Sequence, residues 1–287
     1  MRPGERGTAA EQLANLRRAV STLQPLLDER ALVITHGNGP QVGNELLRQE
    51  RAADEAPALP LWLAVAQTQA EIGALIVAEL HPALNDRPTA CVLTHVRVAA
   101  EDPAFDRPTK PIGPFYSADE GEQLERDRGW AMVSDSNRGH RRVVPSPDPL
   151  EIVELEVIRT LAEQNTVVIA CGGGGIPVVR RGNRLAGIDA VIDKDRASAL
   201  LARGLEAERL LILTEVPAVY RHFGEVDQEE IRELTGPDAE ALLPELAAGS
   251  MRPKVEAALS FGGETLITSI DALAAALAGN AGTRIHL

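Results

Sequence analysis

The chain has 287 residues, 44% hydrophobic and only 3% aromatic, so one large α/β domain or two modest ones can be built on a core of Ala, Leu, Val and Ile. A net charge of −13 weighs against nucleic acid as the main partner, and an anionic substrate would need a local site with its own basic groups. The expectation is a soluble, cytoplasmic protein with no membrane partner: no uninterrupted apolar run reaches 18 residues, no signal peptide is recognised, and Cys91 and Cys171 sit in strand-like runs as buried thiols.

In chain order, Leu13, Leu16, Val20, Leu23 and Leu27 mark one face of a helix, with Thr8 and Glu11 spaced as its capping box. A short apolar run at 31–34 predicts a buried parallel strand. Gly37-Asn38-Gly39-Pro40 then turns into a second helix, and an Ala-rich helix spans 61–80. Another buried strand is predicted at 90–93. Residues 101–149 are dense in proline, which predicts a small protruding subdomain with a hairpin or lid and at most one short helix at 117–126. Regular alternation then returns. A helix is predicted over 149–164, with Ile152, Leu155, Val157, Ile158 and Leu161 as its apolar face. Strands are predicted at 167–170, 210–213 and 264–268, helices at 193–203, 251–261 and 271–278, and an edge strand at 284–287. Such alternation predicts crossover connections and a mainly parallel sheet covered on both faces. Gly37–Gly39 and Gly172–Gly175 both come directly after strands, so they should share one edge of the sheet, where ligands bind.

A glycine-rich turn into a helix can present backbone N–H groups and a favourable dipole to an anion, and it can equally be a tight turn. Four glycines in a row after a strand point to close approach of a ligand or of another backbone. Three lysines stand among 29 basic residues, and all lie at punctuated places: Lys110 between prolines, Lys194 between Asp193 and Asp195, and Lys254 just inside a helix start. An ammonium differs from guanidinium in reach and hydration, so that scarcity points to selected positions. Asp193-Lys194-Asp195 suits phosphoryl chemistry, and Asp193 also reads as a helix N-cap with a local ion pair. His36 fits either a general base or a hydrogen-bonded structural histidine. No zinc spacing, Walker A sequence or nucleophile elbow is present.

The stretches "VITHGNGPQVGN", "DPAFDRPTKPIGPFY", "RRVVPSPDPLEIVELEVIRTL", "VVIACGGGGIPVV", "AVIDKDRASALLA" and "GSMRPKVEAAL" resemble the carbamate kinases of the amino acid kinase family, in family order. The resemblance implies one amino acid kinase-like domain, an open αβα sandwich with a mainly parallel central sheet, and a homodimer. Residues 101–149 would be its protruding subdomain and about 186–287 its nucleotide-binding lobe. The implied reaction is reversible phosphoryl transfer between ATP and carbamate, giving carbamoyl phosphate and ADP, with Mg²⁺ and a place in arginine metabolism. By resemblance Lys194 and Lys254 neutralise the transferring group, Asp195 orients them, and Lys110 reaches in from the subdomain. Gly37, Asn38 and Gly39 would line the phosphoryl-acceptor site, with Gly172, Gly173 and Gly174 beside it. Thr214, Glu215, Val216, Tyr220 and Lys254 would border the nucleotide. Two local departures stand out: Glu215-Val216-Pro217-Ala218, where many relatives carry Asp and Gly, and His140, where an aromatic is usual. A third is larger. The family opens with a strand ending in a Gly-Gly-Asn loop, whereas "MRPGERGTAAEQ" resembles the family segment just after that loop. The expectation is either an upstream start, or a strand slot left empty and an impaired or binding-only relative. A kinase for another small carboxylate is the remaining alternative.

Overall fold

Thr8 accepts from the Glu11 amide and Glu11 reaches back to the Thr8 amide, the expected capping box, and α1 (Ala9–Leu27) starts there. The structure, a computed structural model, describes residue 5 and residues 7–134, 139–247 and 249–287; Met1, on which the expectation about the start turns, lies outside them. The chain continues through β1 (Leu32–Ile34), α2 (Gly39–Arg51), α3 (Leu61–Leu80), β2 (Thr89–Cys91) and β3 (His95–Arg97). The proline-rich segment supplies β4 (Lys110–Tyr116), α4 (Ala118–Arg128), β5 (Ala131–Ser134) and β6 (His140–Val144). Next come β7 (Glu151–Ile152), α5 (Leu155–Glu163), β8 (Val167–Ile169), β9 (Ile176–Arg181), β10 (Arg184–Gly187) and α6 (Lys194–Gly204). The remainder is β11 (Arg209–Thr214), β12 (Val219–Arg221), β13 (Glu229–Ile231), β14 (Glu233–Thr235), α7 (Gly236–Leu242), α8 (Met251–Phe261), β15 (Glu264–Ser269), α9 (Leu273–Leu277) and β16 (Thr283–His286).

The αβα layering can be read at β8. It runs parallel between β1 and β2 and is buried on both faces. Val167 and Ile169 pack with Val20 and Leu27 of α1 and Ile72 and Ile76 of α3. Val168, pointing the other way, packs with Ile158 of α5 and Ala197 and Leu201 of α6. A second parallel pair, β11 and β15, lies in the order β11-β15-β16-β14, with α8 packed on it through Val255, Ala258 and Phe261. Ile34 and Ile169 are register partners, so both glycine segments leave one sheet edge, as expected.

β4, β5 and β6 form an antiparallel sheet in the order β4-β6-β5, with α4 between β4 and β5 in the chain. Pro111 and Pro114 are tolerated inside β4 because it is an edge strand. A Ser117–Glu120 capping box starts α4 and left-handed Gly129 (φ +65°) ends it.

Several expectations are corrected. The helix predicted over 149–164 begins only at Leu155, because Glu151 and Ile152 pair with β3 and the Glu154 carboxylate accepts from the His95 amide. Val157 is consequently exposed and Ile158 carries the burial. The C-terminal strand is interior rather than an edge, since β14 adds beyond it. The β9–β10 hairpin, β3, β12, β13, β14 and α7 are not marked by hydrophobic pattern. Residues Leu61–Ala83 are long and apolar enough to cross a membrane by length and composition, although polar side chains interrupt the run; here α3 packs against α1, α2 and β8 as a core helix. Cys91 is only half-buried, while Cys171 is fully buried, and burial pushes both thiols up.

Candidate active site

Asp193 is the N-cap of α6. Its Oδ1 accepts from the Asp195 and Arg196 amides at 2.9 and 3.3 Å, which places Lys194 in the first turn. Its Oδ2 accepts from Lys110 Nζ at 2.5 Å, so the cap reading holds, while the ion pair of this side chain is long-range and the local pair is the one between Lys194 and Asp195. Asp195, only 4% exposed, accepts from Lys194 Nζ on Oδ1 at 2.5 Å and from Lys254 Nζ on Oδ2 at 2.9 Å. All three lysines of the chain thus meet two carboxylates two residues apart, arriving from β4, α6 and α8. Burial alone would raise the Asp193 carboxyl, but Lys110 and the two amides outweigh it and hold its pKa at about 2. The ammoniums outnumber the carboxylates, and this favours an anion.

The lysines border a cavity of about 210 Å³, whose walls include Gly37, Asn38, Gly39, Gly173, Ile192 and Ser250. Three helices begin at it: α2 after Asn38, α6 after Asp193 and α8 after Ser250. Their N-terminal amides and dipoles all favour negative charge there.

The glycines divide by role. The Gly173 N–H donates to His36 O at 2.7 Å, Gly174 to Cys171 O at 3.0 Å and Gly175 to Gly172 O at 3.1 Å, so those amides are taken within the protein. A Cβ on Gly172 would stand 2.2 Å from His36 Nε2, and one on Gly174 would stand 2.2 Å from Ile192 O. The four-glycine run is therefore explained by another backbone and its side chains, and Gly172 and Gly174 do not reach the cavity wall. Asn38 is buried and its Nδ2 donates to Thr68 Oγ1 at 2.9 Å, which commits one of its two amide hydrogens to α3. Gly39, by contrast, lines the cavity, and a Cβ there would meet nothing within 4 Å.

Burial pushes the His36 pKa down, Gly37 O at 3.2 Å accepts from its Nδ1, and its Nε2, buried beneath Gly172, has no hydrogen-bond partner among the described residues. That geometry fits the structural reading of His36. Thr214, Glu215, Val216 and Tyr220 lie at and beyond the carboxyl end of β11 and do not line the lysine cavity; Tyr220 packs on Phe223 at 5.9 Å. His140 sits on β6 opposite Tyr116, away from the cavity.

Hydrophobic pattern does not single out Thr68 and Gln69, both 1% exposed. Gln69 donates to Gly172 O at 2.8 Å and accepts from the Thr94 amide at 2.6 Å, so α3 holds both glycine segments. A signal does exist: Gln67-Thr68-Gln69 are three consecutive polar residues in a helix that otherwise carries only Glu71 and Glu79 among apolar residues. Gly249, Ser250 and Pro253 also line the cavity at the start of α8.

The sequence profile of the amino acid kinase family matches residues 5–268. The chain belongs to the amino acid kinase family. Within that family it is 44% identical over 294 residues to carbamate kinase 2 of Staphylococcus aureus, covering 98% of this chain and 94% of the relative. Its fold matches a carbamate kinase from Giardia lamblia bound to citric acid with a TM-score of 0.93, at 37% identity, over 100% of this chain and 94% of that one. The same Giardia enzyme bound to AMP-PNP matches with a TM-score of 0.90 at 38% identity, over the same shares of the two chains. The open αβα architecture is thus that of this amino acid kinase branch.

Proposed function

We propose that the chain is a carbamate kinase, transferring a phosphoryl group reversibly between ATP and carbamate to give carbamoyl phosphate and ADP. The observation that carries this reading is the convergence of Lys110, Lys194 and Lys254 on one cavity at which three helices begin. In phosphoryl transfer the transition state spreads charge over the equatorial oxygens, so catalysis is positioning plus electrostatic stabilisation. Lys194 and Lys254 supply that charge, and Asp195 orients both ammoniums toward one point. Lys110 serves the acceptor side together with Gly37, Asn38 and Gly39. Carbamate already carries its negative charge, so His36 is not needed as a base. The nucleotide runs along the 186–287 lobe beside Thr214, Glu215, Val216 and Tyr220, and the AMP-PNP-bound relative supports ATP and ADP as its form.

Among the described residues no three His, Cys, Asp or Glu side chains cluster to hold a metal, and Asp193 and Asp195 are both occupied by lysines. Mg²⁺ would therefore travel on the nucleotide phosphates, as is usual for so strongly hydrated a cation. A homodimer in the cytoplasm is part of the same reading. The exposed Leu150, Val153 and Val157 around β7 and α5 supply an apolar face for a second copy. Sedimentation velocity at micromolar concentration should give twice the chain mass, and a lone 30.7 kDa species would remove the dimer.

The deciding measurement is ATP formation from ADP and carbamoyl phosphate. Lys194→Ala should lower kcat by at least about a hundredfold with the fold retained by circular dichroism. A near-normal rate would remove Lys194 from the reaction.

A further inference from the structure

We propose that Gly43 and Gly113 are positioning residues: their backbone-to-backbone contact sets the distance between Lys110 and the start of α2 at the acceptor end of the cavity. The inference rests on the functional reading above and deepens it.

Gly43 lies inside α2, where a glycine weakens the helix relative to alanine. Its backbone is ordinary, with no positive φ, so conformation does not require it. Packing does. A Cβ on Gly43 would stand 2.0 Å from the Gly113 Cα and 2.2 Å from the Gly113 N, and no flexible side chain is there to yield. Gly113 has φ +74° and lies where the register of β4 with β6 shifts, between Ile112 and Tyr116. β4 therefore lays its own backbone directly on α2.

The contact is close to the chemistry along both elements. Gly39 is one helical turn back on α2, and Lys110 is three residues back on β4. On the near side Ile112 is buried with Val42, Leu61, Val144 and Val191. On the far side Glu50 of α2 pairs with Arg128 at 3.2 Å and with Arg142 at 3.5 Å, and Arg142 lies over the Trp130 ring at 4.3 Å. The subdomain is thus fastened along the length of α2, and its anchor to the main domain is the helix that opens the acceptor site. The Lys110–Asp193 pair alone would not hold this spacing once an anion competes for the ammonium.

The test uses Gly43→Ala and, because that change can alter folding locally, Glu50→Gln as a second variant that loosens the clamp without steric push. Thermal unfolding, the KM for carbamoyl phosphate and for ADP, and calorimetric affinity for inorganic phosphate are measured for both. Gly43→Ala should raise the carbamoyl phosphate KM and weaken phosphate binding at least tenfold, and Glu50→Gln should do so two- to threefold, with the ADP KM within twofold of the parent in each. A purely structural role would lower the unfolding temperature and leave those ratios untouched, and that result overturns the proposal. So does a loss shared equally by both substrates. If Gly43→Ala does not fold, Glu50→Gln decides. If the parent makes no ATP, the functional reading fails, and the positioning role is then judged on phosphate affinity alone, unchanged affinity in the variants refuting it.

Discussion

Gly39 is the glycine of the His36–Pro40 turn that neither backbone nor packing accounts for. Its φ is not positive, and the protein leaves open space where its Cβ would be. Gly173 makes the contrast: it has φ +67°, and a Cβ would stand 2.2 Å from the Asn38 amide. Alanine at Gly39 would by itself stabilise the chain by about 0.4–1 kcal/mol through the unfolded state, so under the proposed function the glycine is kept for what enters the cavity. Gly39→Ala should therefore leave the melting temperature unchanged or raised while cutting the rate of ATP formation at least about tenfold; full activity would show that the acceptor does not approach this position. The value of the three lysines was visible in composition, because scarcity is a property of the chain. Which glycine amides are taken within the protein was not, because a run of four looks the same whether it greets a ligand or a neighbouring backbone.

The junction of β3, β7 and α5 shows how one side chain can redirect an element. Glu154 accepts from both the His95 amide at 2.7 Å and the His95 ring at 2.8 Å, so it joins β3 and stops the helix from extending back through Ile152. Apolar spacing over 149–164 reads as one helix, and a tertiary contact cuts it in two. The hydrogen bond to Glu154, aided by its charge and opposed by burial, raises the His95 pKa. A raised pKa means that the protonated form is favoured in the folded state. The stabilisation is fully present below the ordinary value of about 6.5 and is lost as pH rises through the raised pKa. Urea unfolding between pH 6 and pH 9 should show this decline in the parent and not in Glu154→Gln. An identical decline in both would assign it to other groups. α1, with its capping box, α3, an apolar Ala-rich run, and α8, closed by left-handed Gly262, were legible within a residue or two, because those signals are local.

At the scale of the whole molecule, the β4-β6-β5 sheet meets the rest of the protein at α2, through Ile112 and Val144 against Leu61 and Val191, and at the Lys110–Asp193 pair, whose members are 83 residues apart in sequence. Asp193 is held at about 2 from an ordinary 3.8, so its contribution is present above pH 4 and lost as pH falls toward 2. Asp193→Asn should be less stable than the parent at pH 7 by on the order of 2 kcal/mol, with the gap narrowing between pH 4 and pH 2. A gap independent of pH would mean that the cap bonds alone matter. The layered α/β class and the strand-edge placement of both glycine segments were readable from local patterns, because a turn or a pleat depends on residues within about one helical turn of each other, and the family followed from the resemblance of six long stretches. The interior place of β16, the binding of both glycine segments by Gln69 and Thr68, and the meeting of Lys110 with Asp193 were not, and the approach of Lys254 to Asp195 followed only from the family resemblance. Those depend on strand register and helix crossings; the two lysine–aspartate pairs alone span 83 and 59 residues of sequence, and no local pattern encodes that distance.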